Sequence, residues 1–321
     1  MSNDTALRHS TLNIRHSRLR SRVTLALVLA LSASPVFAWG EKGHAITTEA
    51  AALALPNDMP RFFYDAMPSL VYLGDEPDRW RGGGESLEGE NAPNHFLDYE
   101  YAEGLTLPRD RYAFIALMQQ SGRLRRYGLT PSTTGFLPWR IAELGEQLTT
   151  EWRIWRTTRA GSPERAHAEN EIVETSGLLS HYAGDASNPL HTTLHFNGWA
   201  DAENPNHYRN DCDVHARFES WFVNHAAETS EVTAKIASPK LVSDPFTTAV
   251  AFVRDSNRHV EDVYRLDRDG GFDPMKPARS DAKAFLIDRL ASGSGLLRDL
   301  WWSAWRNSAQ PRRRAPQPPA E

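Results

Sequence analysis

Apolar side chains recur every three or four residues along much of this chain, with polar side chains between them. This spacing places the apolar residues on one face of an α-helix. The alternation of β-branched and polar residues that marks a half-buried strand does not occur. The pattern therefore predicts five helical segments, which are "AITTEAAALAL" (45–55), "RDRYAFIALMQQSGRL" (109–124), "PWRIAELGEQLTTEWRIWRT" (138–157), "ERAHAENEIVETSGLLSHYAGDA" (164–186) and "DPFTTAVAFVRDSNRHVEDVYRL" (244–266).

Segments rich in glycine and proline separate these helices and predict loops. They are "RGGGESLEGENAPN" (81–94), "NGWADAENPN" (197–206) and "DRDGGFDPMKPARS" (267–280). No linker-like stretch divides residues 39–308. The pattern thus predicts an all-α fold, a single-domain helical bundle.

The two ends of the chain differ from this domain. Residues 1–38 combine several arginines, the apolar run "VTLALVLALSA" and "SPVFA" before Trp39, which is typical of a signal peptide cleaved after Ala38. An uncleaved membrane anchor is the alternative, but the apolar run is shorter than the roughly 20 residues that span a bilayer. We therefore expect a secreted or periplasmic protein with no transmembrane segment after processing. Residues 309–321 are rich in proline and arginine and predict a disordered tail.

Charge and cysteine content narrow the possible functions. The first 38 residues hold five Arg and one Asp, so the remaining chain has 31 basic and 40 acidic residues, a formal net charge of −9. That balance argues against electrostatic binding of long nucleic acids or anionic membranes. Cys212 is the one cysteine in the sequence, so no intrachain disulfide can form. If a cross-link stabilises this exported fold, we therefore expect a bound metal ion rather than a disulfide bond.

Two helical segments pair a histidine with an acid four residues later. His181 and Asp185 lie in "HYAGDASNPLH", which ends at His191, and His215 and Glu219 lie in "HARFE". Side chains four residues apart project from the same face of a helix. Imidazole nitrogen and carboxylate oxygen are both zinc ligands, so the repeated pair predicts a zinc site.

The segment "WGEKGHAITTEAA" adds a further donor set. If processing exposes Trp39, its α-amino group and carbonyl oxygen could chelate a metal together with the His44 imidazole. The pKa of an α-amino group is near 8, so a metal can displace its proton near neutral pH at little cost.

Trp39, His44, "NHFLD", "HYAGDASNPLH" and "HARFE" occur in an order that resembles one superfamily. It joins the bacterial zinc-dependent phospholipases C to the secreted single-strand-specific nucleases. The resemblance runs from Trp39 to about Phe222 and implies an all-α fold around about three zinc ions. It also implies a hydrolase in which clustered zinc lowers the pKa of water for attack on a phosphodiester.

The resemblance implies three ligand sets. The first zinc would be held by Asp75, His95, His181 and Asp185, with Asp78 as the alternative to Asp75. The second would be held by His191, His215 and Glu219. The third would be held by Trp39 and His44, with Asp185 as a bridge that also orients the attacking water and is thus the predicted catalytic residue. Arg79 and Arg81 could clamp a phosphate, although surface arginines without a role are equally common.

The substrate is less well defined than the metal site. The spacing of "WGEKGH" is of the nuclease type, whereas the glutamate in "HARFE" and the lack of disulfides are of the phospholipase type. The aromatic positions beside choline in the phospholipases are Glu76 and Ala92 here, which removes a cation–π contact to a quaternary ammonium. On these grounds we expect a single-strand-preferring nuclease, with a phospholipase C as the alternative and a non-catalytic zinc protein as a third possibility. No stable protein partner is expected.

Overall fold

The computed structural model describes residues 39–127 and 129–311. The predicted signal peptide and residues 312–321 of the predicted tail lie outside these ranges. The described chain contains sixteen α-helical segments and no strand, which confirms the all-α fold. The helices are α1 (Gly40–Leu53), α2 (Arg61–Asp65), α3 (Met67–Leu73), α4 (Glu76–Arg79), α5 (Glu85–Asn91), α6 (Tyr99–Ala102), α7 (Arg111–Ser121), α8 (Arg123–Tyr127), α9 (Leu137–Thr157), α10 (Pro163–Ser187), α11 (Val214–Ala216), α12 (Val223–Ala226), α13 (Thr229–Thr233), α14 (Pro245–Asn257), α15 (Val260–Arg268) and α16 (Ser280–Asn307).

Short helical turns of other types connect several of these helices. Three are 3-10 turns, at Ala92–His95, Pro131–Thr134 and Pro189–His191. One is a π-helical turn, Arg217–Phe222, which lies between α11 and α12. No helix of the described chain is both long and apolar enough to cross a membrane.

Three long helices, α9, α10 and α16, pack on one another and form most of the larger hydrophobic cluster. Trp152 of α9 and Trp301 of α16 are fully buried in it, and the Trp301 indole donates a hydrogen bond to the Ser176 carbonyl of α10. Burying an aromatic side chain of this size removes a large apolar area from water. We infer that these tryptophans fix α10 in place.

A second hydrophobic cluster lies around α1, α15 and the segment from Val214 to Ala226. It contains Trp39, Phe218 and Phe222, whose rings pack on one another or on Phe272. The predicted metal ligands lie on elements of both clusters. The site is therefore held from two sides by apolar packing.

Several predicted elements differ from the structure. The segment 244–266 forms two helices, α14 and α15, rather than one. The predicted loop 81–94 contains helix α5 and a 3-10 turn. The longest helix, α16, has 28 residues and was not among the predicted segments.

Candidate metal centre

Helix α10 carries the first predicted pair. Its N-terminus is capped by Ser162, whose hydroxyl accepts a hydrogen bond from the Arg165 amide, and Pro163 occupies the first helical position. Near its other end, His181 and Asp185 are fully buried, with His181 Nε2 3.3 Å from Asp185 Oδ2. The predicted four-residue spacing therefore brings the two groups together.

The end of α10 positions His191. The Asn188 side chain accepts a hydrogen bond from the Leu190 amide, and Pro189 begins the 3-10 turn that ends at His191. This turn directs the His191 ring back to the cluster, where Nδ1 is 4.0 Å from Asp185 Oδ2. Asn188 also donates to Glu219 Oε2 at 3.3 Å. Asn188 is not among the predicted site residues, although its position directly before Pro189 is a signal for such a turn.

Helix α1 contributes His44, whose ring stacks on the His181 ring with 4.0 Å between centroids. His44 Nε2 lies 3.5 Å from Asp185 Oδ1. The close approach depends on Gly184, because a Cβ there would be 3.2 Å from His44 Nδ1. The second histidine therefore reaches the opposite oxygen of the same carboxylate.

His95 joins the cluster from the 3-10 turn after α5. Its Nδ1 is 2.9 Å from His181 Nε2 and 3.2 Å from Asp185 Oδ2. The acid beside it is Asp78, whose Oδ1 lies 3.7 Å from His95 Nδ1 and 3.8 Å from His181 Nε2. His95, His181 and Asp78 thus form one group of buried donors within 4.8 Å of one another.

Asp75, the acid preferred from the sequence, is not in this group, and the alternative, Asp78, is. Its carboxylate is paired with Arg79 at 3.3 Å and faces the rim of the site, whereas Asp78 is 2% exposed. The reason is local: α4 begins at Glu76, so Asp78 falls two residues into the helix, on its inner side. Asp75 directly precedes the helix, and its side chain stays partly exposed beside Arg79.

The second predicted pair forms a separate group with His191. His215 Nε2 is 2.5 Å from Glu219 Oε2 and 3.2 Å from His191 Nε2. Glu219 lies within the π-helical turn, which widens the helix where the ligand is presented. Such turns are rare and are frequent at functional sites.

Backbone carbonyls set the orientation of three of the histidines. The Nδ1 atoms of His181, His191 and His215 lie 2.8, 2.7 and 3.0 Å from the carbonyl oxygens of Gly74, His95 and Phe196. A carbonyl oxygen only accepts hydrogen bonds, so each Nδ1 carries the proton. Each Nε2 is then left with a lone pair that faces the cluster, which is the tautomer that binds a metal.

The donor sets fit zinc. Four ligands about 2.1 Å from a tetrahedral ion lie about 3.4 Å from one another. The donor-atom distances given above within the three groups, from 2.5 to 3.8 Å, lie around this value, and all donor atoms of a group are within 4.8 Å of one another. Both Asp185 oxygens and both His44 nitrogens are buried with no hydrogen-bond partner among the described residues. Such buried polar atoms are costly unless another group satisfies them, and a cation would do so.

Burial shifts the titration of these side chains toward uncharged forms. It lowers the pKa of His181 and of His215 to about 3, and together with neighbouring histidines it lowers the pKa of His44 and His95 well below the ordinary value. These rings are therefore neutral, as metal binding requires.

The same burial has the opposite effect on the carboxyl groups. It raises the pKa of Glu219 to about 7, and with the charges of Asp78 and Glu219 it raises the pKa of Asp185 well above the ordinary value. Burial therefore favours the protonated carboxyl groups, and a bound cation would stabilise their carboxylate forms.

Trp39 lies next to these groups. Its side chain is fully buried, and the indole Nε1 donates hydrogen bonds to the Gly184 carbonyl at 2.8 Å and to Ser187 Oγ at 3.0 Å. Both partners are on α10, beside Asp185. Coordination by the Trp39 α-amino group depends on processing and stays a prediction.

A cavity of about 820 Å³ opens beside the candidate metal ligands and shares Asp78 with them. Arg79 and Arg81 line it, as their predicted role requires. Their neighbours differ: Arg79 pairs with Asp75 and Glu76 and lies over the Tyr72 ring, whereas Arg81 Nε donates to Glu88 Oε1 at 2.9 Å. The charged residues of the lining are Glu41, Lys42, Asp75, Asp78, Arg79 and Arg81.

The choice between the two aspartates gives a direct test. We expect Asp78→Asn to lose one of the bound metal ions and Asp75→Asn to keep them all, because only Asp78 is grouped with His95 and His181. Elemental analysis of both purified proteins after zinc loading measures this, with the unmodified protein as the reference. Metal loss from the Asp75 variant alone would contradict the grouping.

Comparisons with known proteins provide little beyond this. No protein-family model matches the chain, and no curated protein matches it. Among solved structures, the chain is similar to an alpha toxin from Clostridium absonum, with 11% sequence identity and a TM-score of 0.41. The similarity covers 85% of this chain and 67% of the toxin chain. What is shown is an all-α protein with three adjoining groups of buried side chains that could hold metal ions.

Proposed function

We propose that this protein is a zinc-dependent hydrolase of phosphodiesters. The observation that supports it most is the presence of three adjoining buried donor groups, two of which have histidines close to Asp185, beside a cavity lined by two arginines. Clusters of this kind, built from imidazole and carboxylate, suit zinc more than calcium or magnesium, which prefer oxygen ligands alone. Bound zinc would supply an acidified water and neutralise phosphate oxygens.

Each donor group has a proposed ion. One would be held by Asp78, His95 and His181, and a second by His191, His215 and Glu219. The third would be held by His44 and Asp185, with the terminal amino group and carbonyl of Trp39 after processing. We also propose that the processed protein acts outside the cytoplasm, on the strength of the predicted signal peptide.

Asp185 has the central role in this proposal. Oδ1 faces His44, and Oδ2 faces His95 and His181, so this carboxylate connects donor groups from three different elements. Complete burial restricts it to one geometry. We therefore propose that Asp185 fixes the spacing of the ions and orients the attacking water at its oxygens.

The cavity favours a phosphodiester that also carries a positive charge. Three of its charged residues are acidic, namely Glu41, Asp75 and Asp78, and Glu41 and Glu76 act with burial to raise the pKa of Asp75. The lining also carries three cations, Lys42, Arg79 and Arg81, so its charges are balanced and suit a zwitterionic ester, in which the arginines attract the phosphate and the acids attract the ammonium group. We therefore propose a phospholipid head group as the first substrate. This reverses the order expected from the sequence, since no feature of the structure specifically supports the nuclease.

A parallel assay tests both the reaction and the substrate. The zinc-loaded protein, beginning at Trp39, is incubated with phosphatidylcholine in mixed micelles, single-stranded DNA and RNA. We expect release of phosphocholine to be the fastest reaction. Faster cleavage of DNA or RNA would show a nuclease, and no turnover of any phosphodiester by fully loaded protein would favour the non-catalytic alternative.

A further inference from the structure

Helix α5 lies against the chain segment that forms one side of the cavity. The Asn91 side chain donates to the Pro77 carbonyl at 2.9 Å and accepts a hydrogen bond from Tyr182 at 3.2 Å. One turn before Asn91 on this helix, Glu88 accepts two hydrogen bonds, from Arg81 Nε at 2.9 Å and from the Gly82 amide at 3.0 Å. This helix thus connects residues 77–82 to helix α10.

The segment held in this way carries Arg81. Asp78, a member of one of the donor groups, lines the same cavity as Arg81. Arg81 also lines the cavity, and its side chain is 24% exposed. It is therefore a positive charge located between the donor groups and solvent.

The two hydrogen bonds to Glu88 fix both the backbone and the side chain of this turn. Gly82 has a φ of +74°, a conformation that favours glycine, and its amide is bound by Oε2. Glu88 Oε1 accepts the hydrogen bond from Arg81 Nε. The edge of the guanidinium formed by Nη1 and Nη2 is therefore the one that can make a bidentate contact with a phosphate. A single carboxylate thus selects one orientation of the guanidinium.

We propose that Glu88 is a positioning residue, which holds Arg81 so that its Nη edge binds the phosphate of the substrate. The proposal builds on the proposed function, because it names the group that recognises the phosphate at that site. Glu88 itself touches neither substrate nor metal. Its effect is exerted through Arg81, and it should disappear when Arg81 is removed.

The test measures binding of inorganic phosphate to the zinc-loaded protein by calorimetry. Glu88→Gln keeps the size of the side chain but replaces one acceptor oxygen with a donor, so it cannot accept both hydrogen bonds. We expect phosphate to bind about tenfold more weakly, a difference of about 1.4 kcal/mol. Glu90→Gln is the matched control, since Glu90 is an exposed acid on the same helix, and its affinity should stay within about twofold of the unmodified protein.

A double-mutant cycle with Arg81→Ala separates positioning from a general structural effect. We expect Arg81→Ala with Glu88→Gln to bind phosphate no more weakly than Arg81→Ala alone. Additive losses, an unchanged affinity in Glu88→Gln, or loss of zinc from Glu88→Gln would each overturn the proposal. Phosphate binding that follows the expected pattern in a protein that cleaves no phosphodiester would instead retain the role of Glu88 and reject the proposed function.

Discussion

Asp185→Asn is expected to lose bound zinc and at least about a hundredfold in phosphodiesterase activity. Mutation of a residue that only hydrogen-bonds to a metal ligand typically lowers metal affinity or activity about 10–100-fold. Asp185 is closer to the proposed ions than that, because it lies beside three histidines from three elements. His181→Ala is expected to have an equally large effect, because His181 belongs to two of the donor groups. Elemental analysis and activity measured on the same preparations test both variants.

The thermal stability of Asp185→Asn gives a more specific test, because the expected change has opposite signs with and without zinc. With zinc bound, we expect the variant to unfold at a lower temperature, since metal-binding free energy is also folding free energy. After chelation with EDTA, the order should reverse, because asparagine removes a buried carboxyl group whose pKa is raised well above the ordinary value by burial.

His167→Ala provides the control for both measurements. His167 is on the same helix, α10, but is exposed and far along the chain from the cluster. Its variant should bind zinc and unfold like the unmodified protein. A fully stable Asp185 or His181 variant that retains all its zinc would contradict the proposed centre.

The second large effect is expected from one residue added before Trp39. An extra residue converts the α-amino group into an amide, which cannot coordinate zinc in the same way. We expect the loss of the ion proposed for His44 and Asp185 and of most activity, with the fold retained, because the Trp39 indole still reaches Gly184 and Ser187. Circular dichroism, elemental analysis and the phosphodiesterase assay on extended and processed proteins measure this.

The control for this experiment is a protein extended by the same residue and then cleaved by a protease to expose Trp39 again. Recovery of zinc and activity after cleavage would attribute the loss to the terminus itself. Equal activity in the extended and processed forms would show that the Trp39 amino group is not a ligand.

Much of the site follows from spacing alone. His181 and Asp185 were placed together because one helical turn separates them, and their helix is long and capped by Ser162. The same reasoning brought His215 to Glu219, although the structure uses a π-helical turn that no simple periodicity indicates. Local patterns succeed where both partners lie on one element.

The choice between Asp75 and Asp78 depended on information that is not local. Asp75 directly precedes α4 and Asp78 lies within it, and a helix of only four residues has almost no periodicity from which to predict which of the two is buried. Helix boundaries are the least reliable part of any such prediction. Contact with His95, seventeen positions along the chain, then selects Asp78.

Helix α16 is the longest element that the hydrophobic pattern failed to predict, and the reason is different. Its sequence includes "ASGSG" at 291–295, and glycine lowers the intrinsic helix propensity. In the structure Gly293 is needed for close packing, because a Cβ there would be 2.6 Å from Ser187 Oγ at the end of α10. Tertiary packing therefore overrides the low helix propensity of this segment. The small residues that weaken the helical pattern in the sequence are the ones that let α16 pack closely on α10.

The backbone carbonyls of residues 74, 95 and 196 have an evolutionary implication. Since main-chain atoms orient His181, His191 and His215, cavity side chains outside the donor groups can vary without disturbing the orientation of these rings. Selection could therefore alter lining residues such as Glu41, Lys42 and Arg79, and change the preferred ester of the proposed hydrolase, while its proposed metal centre is inherited intact. An architecture of this kind separates the evolution of specificity from the preservation of chemistry.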